Sequence, residues 1–365
     1  MKILACAVGF GLGPNGKLCS IINYNKKYEW YACGDKLDLS IYKENPFIDV
    51  CWTKNEKILE EFIKKYNIKY AIDVLDPEMA IFLKKVGIKV IYVDSLPFMW
   101  TKSDLIPYNV DYYCAQKYPE YKMNPVLKSV KKFVWVNPIT MGKINQQNKS
   151  GIVINFGGLH SPYGEGREYF EVVMKALLQV LSKKDIIITG GSNVVKLANT
   201  LFPTLLSITY SHEEFLNKVS NAELFITSPG LTTIYETCGM DIKTIILPPQ
   251  NLSQFYNIEI AEKTCRNVKV LRWNSSNLSM KQIKTFKDKP EEETVKYIYE
   301  QIYNLSKNER DITNFKEYVA NKLEDKYISN KINLFDDNGV IEISEIINSI
   351  TEQYEERKYE VYKNK

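Results

Sequence analysis

Short apolar runs that stop at a glycine or polar turn, each followed by a longer helical pattern, recur in two successive arrays. No other feature restricts the fold of this 365-residue chain as strongly. In the first array Ile3–Val8 stops at Gly9. Tyr70–Leu75 and Lys89–Val93 follow as strand candidates, with helices expected over Lys17–Asn23 and Lys54–Tyr66. In the second array, strands are expected over Ile152–Phe156, Asp185–Thr189, Leu224–Thr227 and Thr244–Leu247. Helices are expected over Arg167–Leu181, near Glu213–Val219 and from Thr232. Runs this brief, rich in Ile, Val and Tyr, read as buried strands. Their alternation with helices implies right-handed crossovers and parallel sheets.

The polar stretch Gly142–Ser150 separates the arrays and reads as a linker. A single core rarely grows past roughly 250–300 residues, so the length also favours two units. The expected fold class is α/β, with two facing Rossmann-like domains, parallel sheets and a cleft between them. Residues 1–141 form the N-terminal domain, 142–150 the linker and 151–335 the C-terminal domain; 336–365 hold a helix packing back on the body. Ser344 is expected to cap that helix, whose isoleucine pattern runs to about Tyr354. Ligands of such sheets bind beyond the carboxyl ends of the strands.

Forty-eight basic and 44 acidic residues leave a net charge of only +4, and no basic run carries interleaved aromatics, so a nucleic-acid partner is not expected. Seven cysteines without a C-x-x-C pair argue against a disulfide framework or zinc site and for a reducing, cytoplasmic setting. The opening Met1–Cys6 reads as a first strand rather than an export signal. No stretch approaches the roughly 18 apolar residues of a membrane span. Oligomeric state is not legible.

The richest chemistry lies in Ser228-Pro229-Gly230-Leu231-Thr232-Thr233-Ile234-Tyr235-Glu236, where a strand ends in a turn and a helix begins. Backbone N–H groups at a helix start, together with the helix dipole, favour a diphosphate. Gly230 permits close approach, Thr232 and Thr233 offer hydroxyls, and Glu236 can accept two ribose hydroxyls. An ordinary capped helix with a surface glutamate explains the same residues. Beyond the next strand, Pro248-Pro249-Gln250-Asn251-Leu252-Ser253-Gln254 sets amides at the same sheet edge. Gly157-Gly158 and Gly190-Gly191 end two other strand candidates, and Arg167 could pair with a diphosphate or sugar carboxylate. The loop Gly9-Phe10-Gly11-Leu12-Gly13-Pro14-Asn15-Gly16-Lys17 lacks clean G-x-G-x-x-G spacing, which argues against a dehydrogenase.

Across roughly residues 150–265 the sequence resembles GT-B glycosyltransferases, particularly those related to the enzyme adding N-acetylglucosamine to peptidoglycan precursors. Ser228, Gly230, Thr232, Thr233, Glu236, Gln250, Asn251 and Gln254 follow that pattern in order and spacing. The resemblance implies a UDP-sugar donor as co-substrate, with no other cofactor and no metal. Its base would rest against Thr209-Tyr210-Ser211-His212, and Gly13, Gly158 and Gly191 would lie near the phosphates. Many relatives carry a basic histidine in the first glycine loop. Here the place holds Pro14-Asn15, and both histidines, His160 and His212, lie in the second array. An inverting enzyme would then use a carboxylate as base, with Asp94 and Asp76, each at a strand end, as candidates. A narrower resemblance to cytosylglucuronate synthases rests on the glycine loop, on Val93-Asp94-Ser95-Leu96-Pro97-Phe98-Met99-Trp100 and on the Gln250–Gln254 segment. It implies UDP-glucuronate, Arg167 as carboxylate partner, and an acceptor such as cytosine near Asn15, stacking on Phe98 and Trp100. A UDP-sugar 2-epimerase and a non-catalytic nucleotide-sugar-binding protein remain the alternatives.

Overall fold

A computed structural model describes residues 1–119, 122–141, 149–159, 166–181, 185–238, 240–265, 268–286, 289–324 and 338–350. The N-terminal sheet contains β1 (Lys2–Ala7), β2 (Glu29–Cys33), β3 (Phe47–Cys51), β4 (Tyr70–Val74), β5 (Lys89–Asp94), β6 (Tyr112–Gln116) and β7 (Phe133–Val136). They lie in the order β3-β2-β1-β4-β5-β6-β7, every neighbour parallel. The C-terminal sheet contains β8 (Ile152–Asn155), β9 (Ile186–Thr189), β10 (Leu206–Ile208), β11 (Leu224–Thr227), β12 (Lys243–Ile246) and β13 (Val268–Val270). Its order is β10-β9-β8-β11-β12-β13, again all parallel. Parallel sheets are covered on both faces, which is why β4 is buried throughout.

Helices α1 (Gly13–Tyr24), α2 (Glu56–Tyr66) and α3 (Pro77–Lys85) serve the first sheet. The second has α4 (Arg167–Val180), α5 (Ser192–Leu201), α6 (His212–Ser220), α7 (Leu231–Cys238) and α8 (Leu252–Thr264). Then come α9 (Met280–Ile283), α10 (Glu291–Lys307) and α11 (Glu309–Glu324), and residues 339–350 form a last helix, α12. Local chemistry sets the boundaries. Asn55 caps α2 by accepting from Lys57 and Ile58 N–H, and Asn67, left-handed at φ 52°, ends it. Ser211 and Glu214 close a capping box on α6.

Each strand order reverses once, between β1 and β4 and between β8 and β11, so each sheet has a switch point where a ligand crevice forms. Helix α12 packs Val340, Ile343, Ile347 and Ile350 into the N-terminal core. Ser344 does not cap it. The serine sits mid-helix, donating to Val340 O at 2.6 Å, and Asn338 caps instead, accepting from Val340 N–H at 3.0 Å. Most of the expected linker, 142–148, and the helix pattern past residue 350 lie outside the described residues. Cys238 and Cys265 form a disulfide, against the expectation from spacing. The fold sets the end of α7 beside the end of α8, Cα to Cα 4.3 Å, a juxtaposition that a sequence separation of 27 conceals. No described helix is long and apolar enough to cross a membrane.

Candidate functional site

The carboxyl ends of the four switch-point strands face one another across a cavity of about 420 Å³. Val8 and Phe10–Gly13 follow β1, Leu75 and Pro77 follow β4, Asn155–Leu159 close β8, and Ser228–Thr233 follow β11. The two domains touch here main chain to main chain: a Cβ on Gly158 would fall 3.0 Å from the backbone of Gly11 and Leu12. Two non-glycine residues with left-handed backbones, Leu75 (φ 63°) and Leu159 (φ 43°), both line the cavity. Such conformations cost about 1–3 kcal/mol each and persist where the surroundings over-determine them, typically at ligand sites.

The α7 start forms one end of the cavity. Its first-turn N–H groups have no carbonyl a turn back to bond, so they face the space with the positive end of the helix dipole. Thr232 and Thr233 line the same end. Lys17, almost wholly buried on α1 of the other domain, hydrogen-bonds the Thr232 hydroxyl and also lines the cavity. Burial lowers its pKa to about 8, with the Glu236 carboxylate partly resisting. A helix start, two hydroxyls and an ammonium suit a polyanion. Glu236 lines the cavity as well, but its carboxylate is engaged: His212 Nε2 lies 2.8 and 3.0 Å from its two oxygens. Burial works against the charged imidazole. The Glu236 carboxylate, aided by the Cys19 thiol, outweighs burial and raises the His212 pKa to about 10.

The amide segment lies along the same cavity, and Gln250, Asn251 and Gln254 all line it. The carbonyls of Pro248 and Pro249 are pinned by Tyr169 Oη at 2.8 Å and Trp273 Nε1 at 2.7 Å. Part of the amide chemistry is spent locally. Asn251 caps α8 by accepting from Gln254 N–H at 3.1 Å, and Gln254 Oε1 accepts from Gln250 N–H at 2.9 Å. Asn257, one turn further along α8, lines the cavity and donates to Pro229 O at 2.9 Å, while its Oδ1 is buried with no partner. Lys17 and Asn257 are site residues that reading the sequence did not single out.

Gly13, Gly158, Tyr210, Ser228, Gly230 and Trp100 also line the cavity. Several expected residues do not. Asp94 is fully buried and accepts from Trp100 Nε1 and Tyr113 Oη, each at 2.7 Å, and from Leu96 N–H at 2.8 Å. Burial outweighs these bonds and raises its pKa to about 6, but no face of it is open to a substrate. Asp76 caps α3 through Met79 N–H and pairs with Lys54 at 3.2 Å. Asn15 donates to Asp38 O and accepts from Tyr42 Oη, each at 2.8 Å, fastening a loop. Phe98 turns into an aromatic cluster with Tyr118 and Tyr256. Arg167 is exposed at the start of α4, outside the cavity, and Gly191 caps α5 beside Asp38. His160 lies outside the described residues.

No protein-family model matches the sequence, and no curated protein matches it. Solved structures do match. The S. aureus MnaA–UDP structure aligns with 96% of this chain and 97% of its own, at 12% identity and a TM-score of 0.53. The UDP-GlcNAc 2-epimerase of Methanocaldococcus jannaschii, in complex with UDP-GlcNAc and UDP, aligns over 84% of this chain and all of its own. Identity there is 14% and the TM-score 0.50. The fold is GT-B. The structure of Acinetobacter baumannii MurG also aligns, over 95% and 99% of the two chains, at 13% identity and a TM-score of 0.47. In this GT-B chain the cavity occupies the cleft between the two domains.

Proposed function

We propose that this GT-B protein is a glycosyltransferase that binds a UDP-sugar against its C-terminal domain and an acceptor against its N-terminal domain. One observation carries the reading. The α7 start, the Gln250–Gln254 segment and Lys17 of the opposite domain converge on one interdomain cavity. The diphosphate rests on the first turn of α7 beside Lys17. The ribose meets Glu236 next to His212, and the amides with Asn257 Oδ1 receive sugar hydroxyls. In an inverting displacement the acceptor oxygen or nitrogen bonds the anomeric carbon as the bond to UDP breaks, and the acceptor proton leaves to a base. Negative charge then develops on the UDP phosphate, where the helix start and the Lys17 ammonium stabilise it. The base is neither Asp94 nor Asp76, since both are consumed by structural bonds.

Glucuronate transfer to cytosine is the narrower version. Trp100 on the cavity wall supports a flat acceptor. Arg167, the intended partner of the glucuronate carboxylate, lies outside the cavity and lends no support. The test is calorimetric titration with UDP, followed by mass spectrometry of UDP-glucose, UDP-N-acetylglucosamine and UDP-glucuronate with small acceptors. Acceptor-dependent UDP release supports the transferase. C2 epimerisation of UDP-N-acetylglucosamine without acceptor establishes the epimerase instead, binding without turnover a sensor, and absence of UDP binding sinks the donor site.

A further inference from the structure

The charged side chains lining the cavity, among the described residues, are Lys17, Asp104, His212, Glu236 and Glu291. They are not evenly distributed. Lys17 is held at Thr232 by the α7 start, and His212 and Glu236 neutralise each other. That leaves Asp104 and Glu291, one from each domain. Asp104 follows β5 in a turn where Thr101 N–H donates to it at 2.6 Å. Beside it in the chain, Leu96, Met99, Trp100 and Leu105 line the same cavity with apolar surface. Glu291 opens α10, the helix whose Tyr299 hydroxyl reaches Gln250 Oε1 at 3.4 Å, so α10 lies over the amide segment. Asp104 and Glu291 are both exposed residues, yet partial burial of the Glu291 carboxyl, with the Asp104 charge adding to it, raises its pKa. Two carboxylates so placed repel each other, and among the described lining residues no cation stands with them. Asn257, whose Oδ1 is buried and unpartnered, lines the same cavity.

We infer that the acceptor is a small apolar or aromatic molecule bearing a protonated amine, recognised jointly by Asp104 and Glu291 against the Trp100 wall. The inference rests on the transferase reading above. An ammonium placed there meets both carboxylates and an indole face, while its apolar body covers Leu96, Met99 and Leu105. The donor phosphates, at the cationic α7 end, stay clear of the acidic pair. Here the amine is a recognition group; which atom of the acceptor attacks is a separate matter.

The test titrates tyramine, its neutral analogue 4-(2-hydroxyethyl)phenol and its acidic analogue 4-hydroxyphenylacetate into full-length protein saturated with UDP. Tyramine should bind at least tenfold more tightly than the alcohol, and the acid more weakly still. The double variant Asp104→Asn, Glu291→Gln should lose that preference, with UDP affinity and binding of the alcohol unchanged. Equal or tighter binding of the neutral or acidic analogue, no binding of tyramine at millimolar concentration, or a preference surviving in the variant overturns the inference. In each of those cases the donor site stands, because UDP is bound. Failure of UDP itself to bind overturns the transferase reading, and this inference with it.

Discussion

Lys17 pays for its position. A lysine whose folded pKa sits near 8 is held in a charged form that the fold disfavours. Deprotonation as pH rises through 8 therefore stabilises the fold while removing the charge that faces the donor phosphates. Lys17→Met keeps the shape without the charge. It should stabilise the protein, on the order of 3 kcal/mol at neutral pH, and weaken UDP binding about 10–100-fold. Wild-type UDP affinity should decline above pH 8 while that of the variant stays flat; parallel pH curves in calorimetry would refute the role of Lys17. His212 behaves oppositely. Its folded pKa, about 10, lies above the free value, so its stabilising pair with Glu236 is fully present below about pH 6.5 and lost as pH rises toward 10. His212→Gln leaves a buried carboxylate unpaired and should cost about 3–5 kcal/mol at pH 7. Denaturant midpoints of wild type and variant should converge toward pH 10.

At the scale of elements, the segment between β5 and β6 depends on one buried carboxylate. Asp94 holds the indole of Trp100, the hydroxyl of Tyr113 and the amide of Leu96, so it sets the wall on which Trp100 is displayed. Asp94→Asn can accept through only one atom and should cost about 1–3 kcal/mol, with a shift in tryptophan emission and unchanged UDP affinity. A variant of wild-type stability that had lost turnover alone would restore Asp94 as the base. A carboxylate at a strand end reads the same in sequence whether it faces a cleft or closes a loop, which is why Asp94 and Asp76 read as base candidates. Ser228–Glu236 and Gln250–Gln254 were legible because each is a contiguous turn and helix start. Lys17 was not, because its partner Thr232 lies 215 residues away. Stopping at a glycine was not enough by itself: β2, Glu29–Cys33 before Gly34, was not among the expected strands. Nor was the edge strand β3, whose Phe-Ile-Asp-Val-Cys sequence is only half-buried and ends without a glycine.

At the scale of the molecule, residues 338–350, which follow the C-terminal domain in sequence, pack on the N-terminal one. Val340, Ile343, Ile347 and Ile350 enter the same core as β1 and α1, and Asn25 Nδ2 donates to Ser344 Oγ at 2.8 Å. The domains also meet at the aromatic seam where Phe98 and Tyr118 pack against Leu231, Tyr235 and Ile260, directly behind the α7 start. The seam bears on the donor site; the α12 contact, within the core of the first sheet, bears on domain stability. The two should separate experimentally. Ile343 is fully buried, and Ile343→Ala should cost about 2–5 kcal/mol through lost burial and the cavity left behind. Against the 5–15 kcal/mol total of a typical domain, that is enough to bring N-terminal unfolding forward as an earlier, separate transition. UDP affinity below that transition should stay at the wild-type value, because no donor contact reaches α12. A matching loss of UDP affinity at temperatures where the variant is folded would show instead that α12 governs the closure of the cleft.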